Sequence, residues 1–211
     1  IVMKGAGGKA FVAGADISEF KEKRNDAEAA ERYAQASDGA KALMANLKKP
    51  LIAMINGFCL GGGLAVAMSA DMRFAADDAQ LGVPAGRLGI AYNFDALRRL
   101  VQLVGPAMAN EIMFTARRLN ATEALQAGLV NRVVPVDKLE ETVTEIAKTI
   151  SRNAPLSVNA SKVTIKEVLK DESQRDLAKL AKISEDCFNS ADYQEGRQAF
   201  MEKREPVFIG R

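Results

Sequence analysis

Histidine is absent from the 211 residues. Its absence excludes Ser–His and Cys–His nucleophile pairs and zinc sites that need imidazole. Acid–base work must fall to Asp, Glu, Lys, Tyr or backbone-bound water. Cysteine is scarce: Cys59 and Cys187 are the two, in apolar or helical surroundings. A reduced, intracellular setting follows, so a cytoplasmic location is expected. No apolar run approaches the ~18 residues of a membrane span, so no membrane partner is expected. A formal net charge of +2 gives no reason to expect nucleic acid or an anionic surface as partner. No cluster of ligand-type residues suggests a metal, and none is expected.

What is present suffices for a packed core. Hydrophobic residues make up 48% of the chain, and the length suits one large domain or one domain with an appendage. The first residue, Ile1, sits inside a strand-like stretch with no methionine before it. The N-terminal part of the domain is therefore expected to be missing, and a targeting segment cannot be read.

Residues 49–72, KPLIAMINGFCLGGGLAVAMSADM, carry the strongest local pattern. Leu51 to Ile55 suit a buried strand. Asn56 and Gly57 end it with turn chemistry. Gly61, Gly62 and Gly63 then open a run of small apolar residues. A strand, a glycine turn and a helix start present backbone N–H groups to an anion. The same glycines could equally mark tight helix–strand packing. The triplet lacks the G-x-G-x-x-G spacing of a dinucleotide site, and no Lys-Ser or Lys-Thr pair follows it as in a P-loop.

Elsewhere, residues 5–9 form a glycine-rich loop. Residues 13–15 have no bulky side chain, and Asp16 with Glu19 suits a helix N-terminus. Spacing predicts an amphipathic helix over 26–47. Strands are expected at 72–75 and, briefly, at 79–83, with Pro84 closing the second. Residues 85–93 read as irregular. A helix over 95–104 should stop at Gly105 and Pro106, followed by helices over 107–115 and 121–127, the latter capped by Thr122. A strand over 130–134 precedes helices over 138–153, 156–169, 173–190 and 195–203. Strands and helices mix first and the last third is helical, which is an α/β pattern.

Four separated segments carry a family resemblance: FVAGADISEF, KPLIAMINGFCLGGGLAVAMSADMRFA, ATEALQAGLVNRVVP and SADYQEGRQAFMEKREPVFIGR. Together they resemble the enoyl-CoA hydratase/isomerase (crotonase) family over nearly the whole length. The resemblance implies a spiral of ββα units over 1–135 and a helical C-terminal region over 136–211 that builds a homotrimer or a dimer of trimers. It implies a coenzyme A thioester as substrate and no separate cofactor. Family chemistry stabilises an acyl-thioester enolate with two backbone N–H groups, which fall by position on Ala15 and Gly62. Ala13, Asp16, Ile17, Gly61, Ala65 and Ala85 fall along the substrate pocket. Phe200 and Lys203 match positions that hold the CoA adenine and phosphates, commonly from a neighbouring subunit.

Departures from the family pattern define the chemical question. Hydratases of the family carry a glutamate at each of two positions, which here are Ala65 and Ala85, twenty residues apart. Alanine can neither position water nor deliver a proton. Asn93 matches a position where some relatives carry a catalytic Asp. Asn93, Asp95 and Tyr92 are the candidates for orienting water or moving a proton, although Asn93 and Asp95 also suit helix capping. Two readings remain: an acyl-CoA enzyme with atypical acid–base groups, or a non-catalytic acyl-CoA-binding relative.

Overall fold

The computed structural model describes residues 1–14 and 27–211. Its contacts divide the chain into two compact units, residues 2–47 with 51–143, and residue 1 with 48–50 and 144–211.

The first unit is wound from strand pairs. β1 (Val2–Lys4) and β2 (Ala10–Val12) come first, then helix α1 (Ala27–Ala45). β3 (Ile52–Ile55) and β4 (Phe58–Leu60) lead into α2 (Gly62–Ser69). β5 (Met72–Ala76) and β6 (Gln80–Gly82) lead into the short α3 (Ala85–Leu88) and the long α4 (Phe94–Thr115). β7 (Arg118–Asn120), α5 (Ala121–Gln126) and β8 (Arg132–Val134) complete the winding. Each turn gives one strand to each of two sheets. One sheet runs β1-β3-β5-β8, all parallel, and the other β2-β4-β6-β7, with only the last pair antiparallel.

The strands are short because the chain switches sheet every few residues. Ile52 to Ile55 are all buried, as expected for a parallel strand covered on both faces. Asn56 and Gly57 then redirect the chain into the second sheet. Gly57 has a left-handed φ of 54°, and a Cβ there would fall 2.1 Å from the Lys9 carbonyl oxygen. Only glycine fits. Ile55, Leu64, Leu81, Leu100, Ile112 and Leu119 are fully buried. Burying one such side chain contributes roughly 1.5–3 kcal/mol.

Several boundaries differ from the pattern-based expectation. β2, β4 and β7, of three residues each, are too short to show a period of two. Residues 85–88, expected to be irregular, form a helical turn closed by Gly89 at φ 65°. The break expected at Gly105 is present as a non-helical residue, φ 74° and ψ 164°, inside α4. α5 is capped by Asn120 rather than Thr122. Asn120 Oδ1 accepts the Glu123 N–H at 2.9 Å while Glu123 Oε2 accepts the Asn120 N–H at 2.8 Å. This reciprocal arrangement satisfies two end groups at once.

α6 (Leu139–Ser151) leads into the second unit, which holds α7 (Pro155–Val168), α8 (Leu177–Phe188) and α9 (Ala191–Glu202). An open groove of ≈ 1000 Å³ in this unit is lined by Ile165, Phe188, Tyr193, Phe200 and Phe208, among others. Among the described residues no helix is long and apolar enough to cross a membrane.

Two carboxylates of α9 pin the C-terminal segment. Asp192, buried, accepts the Ile209 N–H at 2.7 Å and the Gly210 N–H at 2.9 Å. Glu195 accepts the Val207 N–H at 2.8 Å and pairs with Arg204. The Arg204 guanidinium, with help from the Val207 N–H, pulls the Glu195 carboxyl down from 4.5 to about 2. A depressed carboxyl stabilises the fold above its unfolded pKa and loses that contribution as pH falls towards the folded value. The anchorage of Val207 should therefore weaken as pH drops from about 4.5 towards 2. In NMR titration the Val207 amide shift should move with a midpoint near 2, and Glu195→Gln should remove the transition. A midpoint near 4.5 would mean that Arg204 does not hold the carboxylate.

Candidate active site

Helix α2 is set by backbone contact rather than by side chains. Gly61 precedes it with φ 55° and ψ −118°, a conformation open to glycine, and its N–H donates to the Gly82 carbonyl of β6 at 2.8 Å. Gly63 is pressed against β2: a Cβ there would lie 2.0 Å from the Val12 carbonyl oxygen. Leu64, Ala67 and Met68 then bury the helix body. Gly62, the first helical residue, is exposed, and Gly61 offers no side-chain cap. No acceptor among the described residues takes the Gly62 N–H. First-turn N–H groups lack intrahelical acceptors, and the helix dipole makes that end positive.

Other segments border the same turn. A Cβ at Gly61 would stand 3.9 Å from the Tyr92 hydroxyl and 3.9 Å from Pro84 Cδ. A Cβ at Gly14, φ 123°, would stand 3.7 Å from the Leu60 carbonyl oxygen. The end of β2 therefore runs beside the end of β4, where the glycine triplet begins. Ala13 is exposed there. Ala15, Asp16 and Ile17 lie outside the described residues.

Ala65 is half-buried one turn into α2, and its N–H reaches the Gly61 carbonyl at 3.2 Å. Ala85 is buried and follows Pro84 directly. Tyr92 is half-buried and packs against the core. Asn93 caps α4, its Oδ1 accepting the Ala96 N–H at 3.0 Å. Asp95, in the first turn of α4, is exposed. The structure thus gathers Gly61, Gly62, Pro84 and Tyr92 around one turn and gives Asn93 a capping bond. Phe200 and Lys203 belong to the second unit. Phe200 is exposed on α9, and Lys203 closes that helix in a left-handed conformation, φ 55°.

Cys59, on β4 just before the triplet, is no nucleophile at neutral pH. Burial pushes its thiol up to about 12. Pro84, as the wall opposite Gly61, escaped the sequence reading. Its position in V-P-A closing a strand was the only local signal.

A glycine-opened helix in a winding of short, mostly parallel strands defines the class of protein, an α/β fold with an exposed helix start. The sequence profile of the Enoyl-CoA hydratase/isomerase family matches residues 1–211. The chain is 42% identical over 204 residues to a short-chain-enoyl-CoA hydratase of Clostridium acetobutylicum, covering 97% of this chain and 77% of that protein. It is 39% identical over 211 residues to a crotonyl-CoA hydratase of Syntrophomonas wolfei, covering 100% and 80%. Among solved structures, an enoyl-CoA hydratase/carnithine racemase from Magnetospirillum magneticum superposes with a TM-score of 0.94 at 37% identity, covering 100% of this chain and 78% of that one. The chain belongs to the enoyl-CoA hydratase/isomerase family, and its fold is the α/β crotonase fold with a helical C-terminal region.

The capping bond of Asn93 makes a specific claim about stability. Asn93→Ala should cost about 1 kcal/mol, whereas Asn93→Asp should stay close to wild type, since both residues cap well. Urea unfolding midpoints measure this directly. No loss in the alanine variant would remove the cap from the account of α4.

Proposed function

We propose that the chain binds an acyl-CoA thioester at the Gly61–Gly62 turn and stabilises the enolate that forms there. The thioester oxygen takes the Gly62 N–H and, by family resemblance, the Ala15 N–H. The observation that carries this reading is the exposed, uncapped start of α2 facing the Tyr92 hydroxyl. A donor fixed at such a point acts on charge that develops in the transition state, and one donor is typically worth ~2.7–4 kcal/mol. The hydratase names of the relatives support a reaction on 2-enoyl thioesters.

Hydration adds the water oxygen to C3 and a proton to C2. With Ala65 and Ala85 at the glutamate positions, the proton must come from another group. Tyr92 is the assigned candidate, because its O–H lies beside the turn and a phenol can both donate and accept. Asn93 is committed to its cap, and Asp95 is exposed, so both are weaker candidates. A homotrimer or dimer of trimers belongs to the same reading. Phe200 and Met201 of α9, each more than four-fifths exposed in the single chain, support it.

A second reading starts from the alanines, Ala65 and Ala85, at the two positions where the family resemblance implies glutamate: it makes the chain an acyl-CoA-binding protein without turnover. Mass spectrometry of crotonyl-CoA incubated with the protein separates the two. Turnover predicts a product heavier by one water, or an unchanged mass with a shifted double bond. Tight binding without either supports the second reading.

Two variants test the assignments. Gly62→Pro removes the N–H at a first helical position, which proline tolerates, and should abolish turnover in a folded protein. Unchanged activity there would sink the thioester site. Tyr92→Phe should lower kcat by roughly 10² or more with little change in KM, the usual scale of a lost proton-transfer group. An unaltered kcat would return Tyr92 to a packing role.

A further inference from the structure

The other end of α2 is held by two arginines that the proposed chemistry does not use. Arg99 Nε, from α4, donates to the Met68 carbonyl at 2.7 Å. Arg73 Nη1, from β5, donates to the Ala70 carbonyl at 2.9 Å. Met68 lies in the last turn of the helix that begins at Gly62, and Ala70 is the extended residue that closes it. Arg73 is buried, and its Nε donates to the Leu129 carbonyl at 2.8 Å. Its backbone N–H donates to Asn131 Oδ1 at 2.8 Å. The nearby carboxylate is Asp71, whose Oδ2 accepts the Leu51 N–H at 2.7 Å.

Both guanidinium groups are desolvated. Burial, with the neighbouring Arg99 charge, lowers Arg73 from 12.5 to about 10, against the opposing pull of Asp71. Burial lowers Arg99 as well, again opposed by Asp71. Both stay protonated at neutral pH. Among the described residues, Arg73 and Arg99 thus share Asp71 in a poorly hydrated place, which is expensive where neutral donors would cap the same carbonyls.

Length explains what the charges do. Eight residues at ~1.5 Å each make α2 only ~12 Å long. Its C-terminal end carries about half a negative charge, close enough to offset the positive end through a buried, low-dielectric helix body. A guanidinium on that end removes the offset. We propose that Arg99 and Arg73 are positioning residues for the thioester site, cancelling the negative pole of α2 so that its Gly62 end polarises the substrate carbonyl. The inference rests on the function proposed above.

The test is the infrared carbonyl stretch of bound butyryl-CoA labelled with ¹³C at the thioester carbonyl. Wild type should lower the stretch relative to water, and Gly62→Pro should abolish the shift. Arg99→Lys keeps a charge and should keep the shift. Arg99→Gln keeps an N–H donor for Met68 but no charge, and the stretch should move back towards the solution value. The same pair at Arg73 gives an independent measurement should Arg99→Gln not fold. A wild-type shift in the folded glutamine variants would overturn the inference while leaving the thioester site intact. Neutral variants that fail to fold at both positions, beside lysine variants that fold, would also overturn it, since the role is then structural. Wild-type protein that leaves the stretch at its solution value would overturn the function and this inference together.

Discussion

The approach of α2 to β2 sets much else in the first unit. At Gly63 two backbones meet so closely that a Cβ would sit 2.0 Å from the Val12 carbonyl oxygen. No side chain can relieve such a contact, so the helix start is located by main chain against main chain. The Gly61 N–H, bonded to Gly82 at 2.8 Å, fixes the same turn from the neighbouring strand. Backbone held on two sides cannot drift, and a donor that must meet a developing charge needs that rigidity.

The rest of the winding repeats the device. Gly5 lies against Ala10, Gly57 against Lys9 and Gly82 against Arg117, each closer than a Cβ would allow. These glycines stand where the chain crosses from one sheet to the other or where two turns meet. Short strands suffice because the ladders are parallel and stacked, Val2 on Ile52 on Met72 in one sheet and Phe58 on Gln80 in the other. The apolar body of α2 packs into the core, and the arginines at its far end meet the carbonyls of Met68 and Ala70. One small helix thereby links a hydrophobic core, a buried charge cluster and an open N–H.

Ala65 and Ala85 both sit on this frame. Ala65 keeps its helical bond to Gly61, and Ala85 is buried behind Pro84. Neither residue disturbs the glycine turn. On the proposed reading, thioester binding and proton delivery are separable: the first belongs to backbone and the second to side chains such as Tyr92. Main-chain donors survive side-chain replacement, which is why oxyanion stabilisation can persist when acid–base groups change.

The family, the glycine turn and the two alanines could all be read from the order of the residues. Four motifs in order, a G-G-G run after an apolar strand and two alanines twenty residues apart are local or linear patterns, legible without coordinates. The helix break at Gly105 was legible for the same reason, since a turn residue acts on its own φ. What depends on distant segments emerged only in the folded chain. β2, β4 and β7 exist because neighbours from other turns pair with them; three residues carry no period of their own. Asn120 outcompeted Thr122 as a cap because Glu123 could answer it across one turn. Tyr92 faces Gly61 across thirty-one positions, and Arg99 reaches Met68 over the same separation. Spacing cannot foresee such meetings, because the winding of the sheets, and not the order of the residues, brings them together.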